Sequence, residues 1–175
     1  MFTLKLVMKM LKLFLLFAIL ALVVGVLSQV ALAATTGTVS ATVTVQNISL
    51  TVTDGTVAYG TLGLNATAST RSPVDLQTAT NNGNVTETFT IKGQNSANWT
   101  LAATAGTDNY VHGFCLATCT TPPTNYTALT TSNQTLAAGV AASGTQTFDL
   151  YINTPTSSTN FTSQSVDVIV TATAT

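Results

Sequence analysis

Few residues of this chain have the chemistry that catalysis or metal binding needs. Its 175 residues include a single histidine, His112, and two cysteines, Cys115 and Cys119. A serine nucleophile would need that histidine as its base, and no Gly-x-Ser-x-Gly motif accompanies it. One histidine and two cysteines also fall short of the four ligands of a structural zinc site. We therefore expect His112 to be a structural residue.

The acidic residues do not form an obvious site either. They are scattered singly, so a catalytic carboxylate pair would require distant residues to converge. Asp54 and Asp108 lie in turn-like sequences without the carboxylate cluster that calcium prefers. The expectation is a protein that is not an enzyme and that has no catalytic residue, no cofactor and no metal site.

Residues 1–33 have the pattern of a Sec-type secretory signal peptide. An apolar run at 13–27 precedes the small-x-small sequence Ala31-Leu32-Ala33, and the start of the chain is basic, with Lys5, Lys9 and Lys12. A retained anchor would need about 20 apolar residues, and this run is shorter. We predict cleavage after Ala33, no membrane anchor after cleavage, and a secreted or cell-surface location.

Charge is scarce after the predicted cleavage site. Arg71 and Lys92 are the basic residues that remain, against six acids. Two basic residues cannot form a phosphate-binding surface, so nucleic acid is excluded as a partner. Export also favours a disulfide between Cys115 and Cys119, because paired cysteines in an exported chain are usually oxidised.

Residues 34–175 amount to one domain. About a third of them are Ser or Thr, and the threonines alternate with Val, Ile, Leu and Phe. Threonine favours strands, and such alternation gives a strand one buried and one wet face. We predict an all-β fold, a single β-sandwich (Ig-like or jelly-roll) of 8–10 strands. Strands are expected at 38–46, 56–64, 74–80, 85–92, 99–103, 110–116, 126–130, 148–152 and 165–173. The apolar pattern of the first continues at Ile48, Leu50 and Val52 after a bulge or corner at 46–47.

The segment that follows the cleavage site, 34–47, is a candidate assembly strand. Its apolar side chains share one face of an extended chain: Val39, Ala41, Val43 and Val45. Two interpretations are open. The segment is the first strand of its own sandwich, or it inserts into a neighbouring copy by β-strand addition. The second interpretation produces a filament, because a head-to-tail contact does not close.

Seven Asn-x-Ser/Thr sequences occur in the chain. If the source organism glycosylates asparagine, loop positions are the best acceptors. The candidate glycosylation sites are Asn65, Asn125, Asn133 and Asn160.

Three stretches, SLTVTDGTVAYGTLGL, TATNNGNVTETFTI and ANWTLAATAG, resemble small secreted β-sandwich surface proteins of bacteria and archaea. In its signal, size and strand layout, the chain is similar to the TasA and camelysin type of biofilm-matrix fibre protein. That resemblance implies a structural subunit of an extracellular filament or matrix, whose partner is another copy of itself.

A second, partial resemblance is to the WxL cell-wall-binding domain. Trp99-Thr100-Leu101 matches its first motif and Tyr59-Gly60 its aromatic-Gly step, whereas residues 166–175 lack its second tryptophan. This resemblance implies the alternative function, a non-catalytic module that binds a cell-wall or surface glycan polymer. Aromatic side chains would line its groove, and the candidates are Trp99, Tyr110, Tyr126 and Tyr151.

Overall fold

The computed structural model describes residues 2–27 and 36–175, and it is mostly β with one helix. The helix, α1, spans Phe2–Leu27. The predicted cleavage site, Ala31 to Ala33, lies outside the described residues. The chain divides into two compact units between Val43 and Thr44. Among the described helical residues, none form a segment with the length and apolar character that a membrane span requires.

The strands follow one another between residues 50 and 174 in two sheets. Their bounds are β1 Leu50–Thr53, β2 Thr67–Ser69, β3 Gln77–Asn81, β4 Glu87–Gly93, β5 Thr100–Leu101, β6 Asn109–Cys115, β7 Thr127–Ala128, β8 Gln134–Val140, β9 Thr145–Asn153 and β10 Val168–Ala174. The larger sheet has the order β1-β3-β9-β6-β5, with β2 paired to β9 and β7 to β6. The smaller sheet has the order β10-β4-β8. The all-β prediction is confirmed.

Strand β4 shows how the threonine alternation positions the core. Phe89 and Ile91 are fully buried, whereas Thr88 and Thr90 on the opposite face are half-exposed. The side chains of a strand alternate between its two faces, so one face of β4 contributes to the core. One hydrophobic cluster unites residues of both sheets: Ala79, Phe89, Ile91, Leu101, Tyr110, Phe114, Leu129, Leu136, Phe148, Leu150 and Ile152.

Two segments that the alternation predicts as strands are not strands in the structure. Residues 36–49 and residues 54–66 both lack strand pairing. In the second segment Gly60 adopts a φ of +72°, which interrupts the extended conformation that a strand requires. Two strands that the sequence did not predict are β2, which pairs with β9, and β8, which forms one edge of the smaller sheet.

Candidate interaction cleft

An open cleft of about 1040 Å³ lies beside β10. Its floor consists of apolar side chains of three strands: Val52 of β1, Phe148, Leu150 and Ile152 of β9, and Val168 and Val170 of β10. Two irregular segments form its walls, residues 55–64 and residues 160–167. We call this feature the cleft. Its apolar floor belongs to the same cluster as the core, so the interior of the domain is accessible at this point.

The first wall packs Val57, Tyr59 and Leu62 against the core but has few backbone hydrogen bonds to the rest of the domain. Its ends are held, because Gly55 N–H donates to Gln77 Oε1 at 3.0 Å and Thr154 Oγ1 donates to the carbonyl of Gly63 at 2.7 Å. Between them, no backbone group of residues 57–62 makes a hydrogen bond within the described part of the chain. This wall therefore presents unpaired donors and acceptors next to an apolar floor.

Tyr59 provides the side-chain tether of that wall. Its Oη and His112 Nε2 share a hydrogen bond of 2.9 Å, and the two rings meet edge to face. His112 is buried, and desolvation lowers its pKa to about 4. Burial likewise raises the pKa of Tyr59. Both groups are therefore neutral near neutral pH, and the pair links the wall to β6 without a charge.

The His112 ring has one hydrogen-bond partner among the described residues, the hydroxyl of Tyr59. Its Nδ1 is buried without a hydrogen-bond partner. No group of three His, Cys, Asp or Glu side chains is placed to hold a metal ion, within the ranges 2–27 and 36–175. His112 therefore positions Tyr59 and packs beside the ring of Tyr110. The centroids of the His112 and Tyr110 rings are 6.4 Å apart.

Strand β10 forms the other long boundary of the cleft. It pairs with β4 alone among the described residues, so its outer edge is free. Its inward-facing side chains are only half-buried, including Val168 and Val170. The corresponding residues of the adjacent strand β4 are fully buried. A strand whose core face is half-exposed lacks a neighbour that would cover it.

The described part of the candidate assembly segment, residues 36–47, is exposed. Val39, Val43 and Val45 expose 94%, 90% and 80% of their surface, and Ala41 is exposed as well. Isolated exposed valines are common on proteins, but three at alternate positions form an apolar stripe that favours a partner.

The end of this segment is fixed to the domain by the turn after β3. The Asn84 side-chain amide donates to the carbonyl of Val45 at 2.8 Å, and its Oδ1 accepts from Asn47 N–H at 2.8 Å. Ser49 N–H donates to Oε1 of the buried Glu87 at 3.0 Å. The chain therefore leaves the domain at a defined point beside the first residue of β4.

Glu87 and Asn81 are buried polar residues that the sequence patterns did not single out. Asn81 donates to the carbonyls of Val85 and Val140 and accepts from Gly83 N–H. The alternation of β4 did indicate that Glu87 is buried, because Glu87 lies on the same face of the strand as Phe89 and Ile91.

The four aromatic candidates do not line one groove. They form two pairs, in which Trp99 lies 6.3 Å from Tyr110 and Tyr126 lies 5.0 Å from Tyr151, measured between ring centroids. Tyr110 and Tyr151 are buried. Trp99 lines the cleft, whereas the other three are not among the residues that line it.

The predicted disulfide is confirmed. Cys115 and Cys119 are bonded, with 5.8 Å between their Cα atoms, and both are buried. The bond closes a short loop at the end of β6, and neither cysteine is among the residues that line the cleft.

The candidate glycosylation sites differ in exposure. Asn65, Asn125 and Asn133 are exposed, whereas Asn160 is half-buried. The Asn125 amide donates to the carbonyl of Thr118 at 2.9 Å, and Asn160 Oδ1 accepts from Thr162. Asn65 and Asn133 are the exposed sites whose side-chain amides make no hydrogen bond within residues 36–175.

Comparison with family models, with curated proteins and with solved structures finds no match for this chain. Function is therefore inferred from the residues themselves.

Proposed function

We propose that this chain is an exported structural protein that assembles into an extracellular filament or matrix by β-strand addition. The observation that carries the proposal is the exposed stripe of Val39, Val43 and Val45 in a segment with strand-like alternation and no strand. An exposed segment with this pattern can add as a strand to the sheet edge of another chain. The location is the cell surface or the medium, and the partner is another copy.

Export is supported by the first 33 residues. A basic start, an apolar run and a small-x-small sequence are the three parts of a cleavable signal. The bond between Cys115 and Cys119 agrees with an oxidising compartment. Cleavage after Ala33 would place the assembly segment at the new N-terminus.

The domain that remains after cleavage, residues 34–175, is proposed to be a β-sandwich of the Ig-like or jelly-roll kind. Its support is the single hydrophobic cluster that contains residues of both sheets, such as Phe89 of β4 and Leu150 of β9. Two sheets that contribute to one core are what a sandwich requires. A stable domain with few charges suits a structural subunit.

The resemblance to TasA and camelysin type matrix proteins agrees with this proposal. The glycan-binding alternative has less support, because two of its four aromatic candidates, Tyr110 and Tyr151, are buried. Flat sugar rings need exposed aromatic faces. If the source organism glycosylates asparagine, Asn65, Asn125 and Asn133 are the exposed sites, and among them the Asn125 amide is held by a hydrogen bond to Thr118.

Electron microscopy of the secreted protein tests the proposal. The wild-type protein is expected to form filaments, and Val43→Asp to abolish them, because a carboxylate on the apolar face cannot be buried without a partner. Thr42→Asp is the matched control, since it adds the same charge to the opposite face of the segment. Uniform wild-type monomers at high concentration would contradict the proposal.

A further inference from the structure

The smaller sheet has two free edges, and they differ. β8 pairs with β4 irregularly, with register shifts next to Phe89, and Gly139 in it has a φ of +67°. Bulges and irregular backbone protect an edge against further pairing. β10 pairs with β4 without interruption over seven residues, and its sequence VIVTATA has no charge and no proline. Its outer edge therefore lacks the bulges, charges and prolines that normally block strand addition.

The free edge of β10 and the cleft form one continuous surface, since Val168 and Val170 line the cleft. We infer that the cleft is the acceptor site for residues 38–46 of a second copy, which extend the smaller sheet along β10. This inference rests on the proposed function and names the partner surface.

The side chains of the two partners are complementary. A strand laid along β10 would direct Val39, Ala41, Val43 and Val45 onto the apolar floor of the cleft. Its opposite face, Ser40, Thr42 and Thr44, would continue the hydroxyl-bearing outer face that Thr171 and Thr173 present. Thr–Thr neighbours on adjacent strands stabilise a sheet.

Charge does not oppose this contact. Residues 36–49 contain no charged side chain, and Asp167 is the charged residue among those that line the cleft. Insertion would therefore bury few charges, and the unpaired backbone groups of 57–62 and of the β10 edge would gain a neighbour. A buried backbone group without a partner costs free energy, so pairing and burial favour the same arrangement.

The point where the assembly segment leaves the domain and the cleft lie toward opposite ends of the smaller sheet. The assembly segment leaves the domain beside Glu87, which pairs with Ala174, whereas the cleft borders Val168, which pairs with Gly93. Six residues of strand separate these ends, about 20 Å at 3.3 Å per residue. A contact between different surfaces of identical copies is heterologous and repeats head to tail.

Cysteine cross-linking between two preparations of the full-length secreted protein tests the acceptor site. One preparation carries Val43→Cys and the other Val170→Cys, with Val168→Cys as a second acceptor variant in case the first does not fold. The matched control is Ile169→Cys, on the outward face of the same strand and 37% exposed. After mixing and mild oxidation, we expect a several-fold excess of disulfide-linked dimer with Val168→Cys or Val170→Cys over Ile169→Cys.

Microscopy of the same samples distinguishes failure of the proposed acceptor site from failure of the proposed function. Filaments without a cross-linking preference would overturn the acceptor site and leave the proposed function standing. The absence of filaments in wild-type protein would overturn the proposed function and the acceptor site together. A double variant, Val43→Cys with Val170→Cys, that closes within monomers at low concentration would also overturn the inference, because the segment would then fill its own cleft.

Discussion

Two sides of the same core differ in how completely they are covered. On the side of β4, β6 and β9, inward side chains such as Phe89 and Tyr110 are fully buried. On the side of β1 and β10, Val52, Val168 and Val170 face the same cluster and are only half-buried. We call these the closed side and the open side.

This difference shows that amino-acid composition alone does not determine which side of the core is fully buried. Both sides are built from Val, Ile, Leu and Thr in alternation, but the closed side has strands on both flanks and the open side has irregular segments. Free energy of unfolding is expected to come mainly from the closed side. Regions with few buried contacts and unpaired backbone open first and are available for binding.

The largest expected effect is on the closed side. Phe89→Ala removes a fully buried ring and should lower the free energy of unfolding by about 4 kcal/mol, through lost burial and the cavity left behind. Thr90→Ala, on the outward face of β4, is the control and should change it by less than about 0.5 kcal/mol. Chemical denaturation of the monomer measures both. Equal effects would mean that β4 does not face a packed core.

A pH titration tests how firmly the core encloses His112. Burial lowers its pKa from 6.5 to about 4, so between these values the unfolded chain binds more protons than the folded one. The contribution of His112 to the free energy of unfolding should therefore be fully present above pH 6.5. It should be lost as the pH falls toward 4, which lowers the free energy of unfolding by about 3 kcal/mol. In His112→Gln this part of the pH dependence should disappear. If the free energy of unfolding of the two proteins had the same pH dependence, the pKa of His112 would not be lowered in the folded state.

The disulfide should have a smaller effect. Replacing both Cys115 and Cys119 by serine opens a short loop and should cost about 2 kcal/mol at most. Because neither cysteine lines the cleft, filament formation should persist under conditions where the variant is folded. Loss of filaments from a folded variant would connect the bond to assembly.

The smallest effect on the monomer is expected on the open side. Val170→Ala should lower the free energy of unfolding by only about 1 kcal/mol, because the side chain is already half-exposed. The same change should raise the protein concentration needed for filament formation, since the methyl groups would contact the inserted strand. A large loss of monomer stability with unchanged assembly would reverse the comparison between the two sides.

The alternating residues made much of the fold predictable. Phe89 and Ile91 in β4, Leu150 and Ile152 in β9, and the disulfide followed from sequence patterns. The segments 38–46 and 56–64 carry the same alternation without forming strands. Alternation indicates that a segment suits a sheet, but a strand forms only where the fold brings the segment next to a sheet edge.

The cleft could not be predicted in the same way. Its lining comes from residues as far apart as Val52 and Val170, so it exists only once the two sheets are in place. Strand β8 was missed because its sequence, QTLAAGV, has small residues where a strand usually has β-branched ones. Its pairing depends on β4, which is a tertiary effect that no local pattern contains.

Hydrogen–deuterium exchange of the secreted protein, compared before and after assembly, tests the central claim most directly. In the monomer, amides of residues 57–62 and of the outer edge of β10 should exchange faster than those of β4. After assembly, residues 38–46 and the β10 edge should gain protection together, while the β8 edge stays unchanged. Filaments in which protection appears at β8, or in which β10 exchanges as it does in the monomer, would contradict the account.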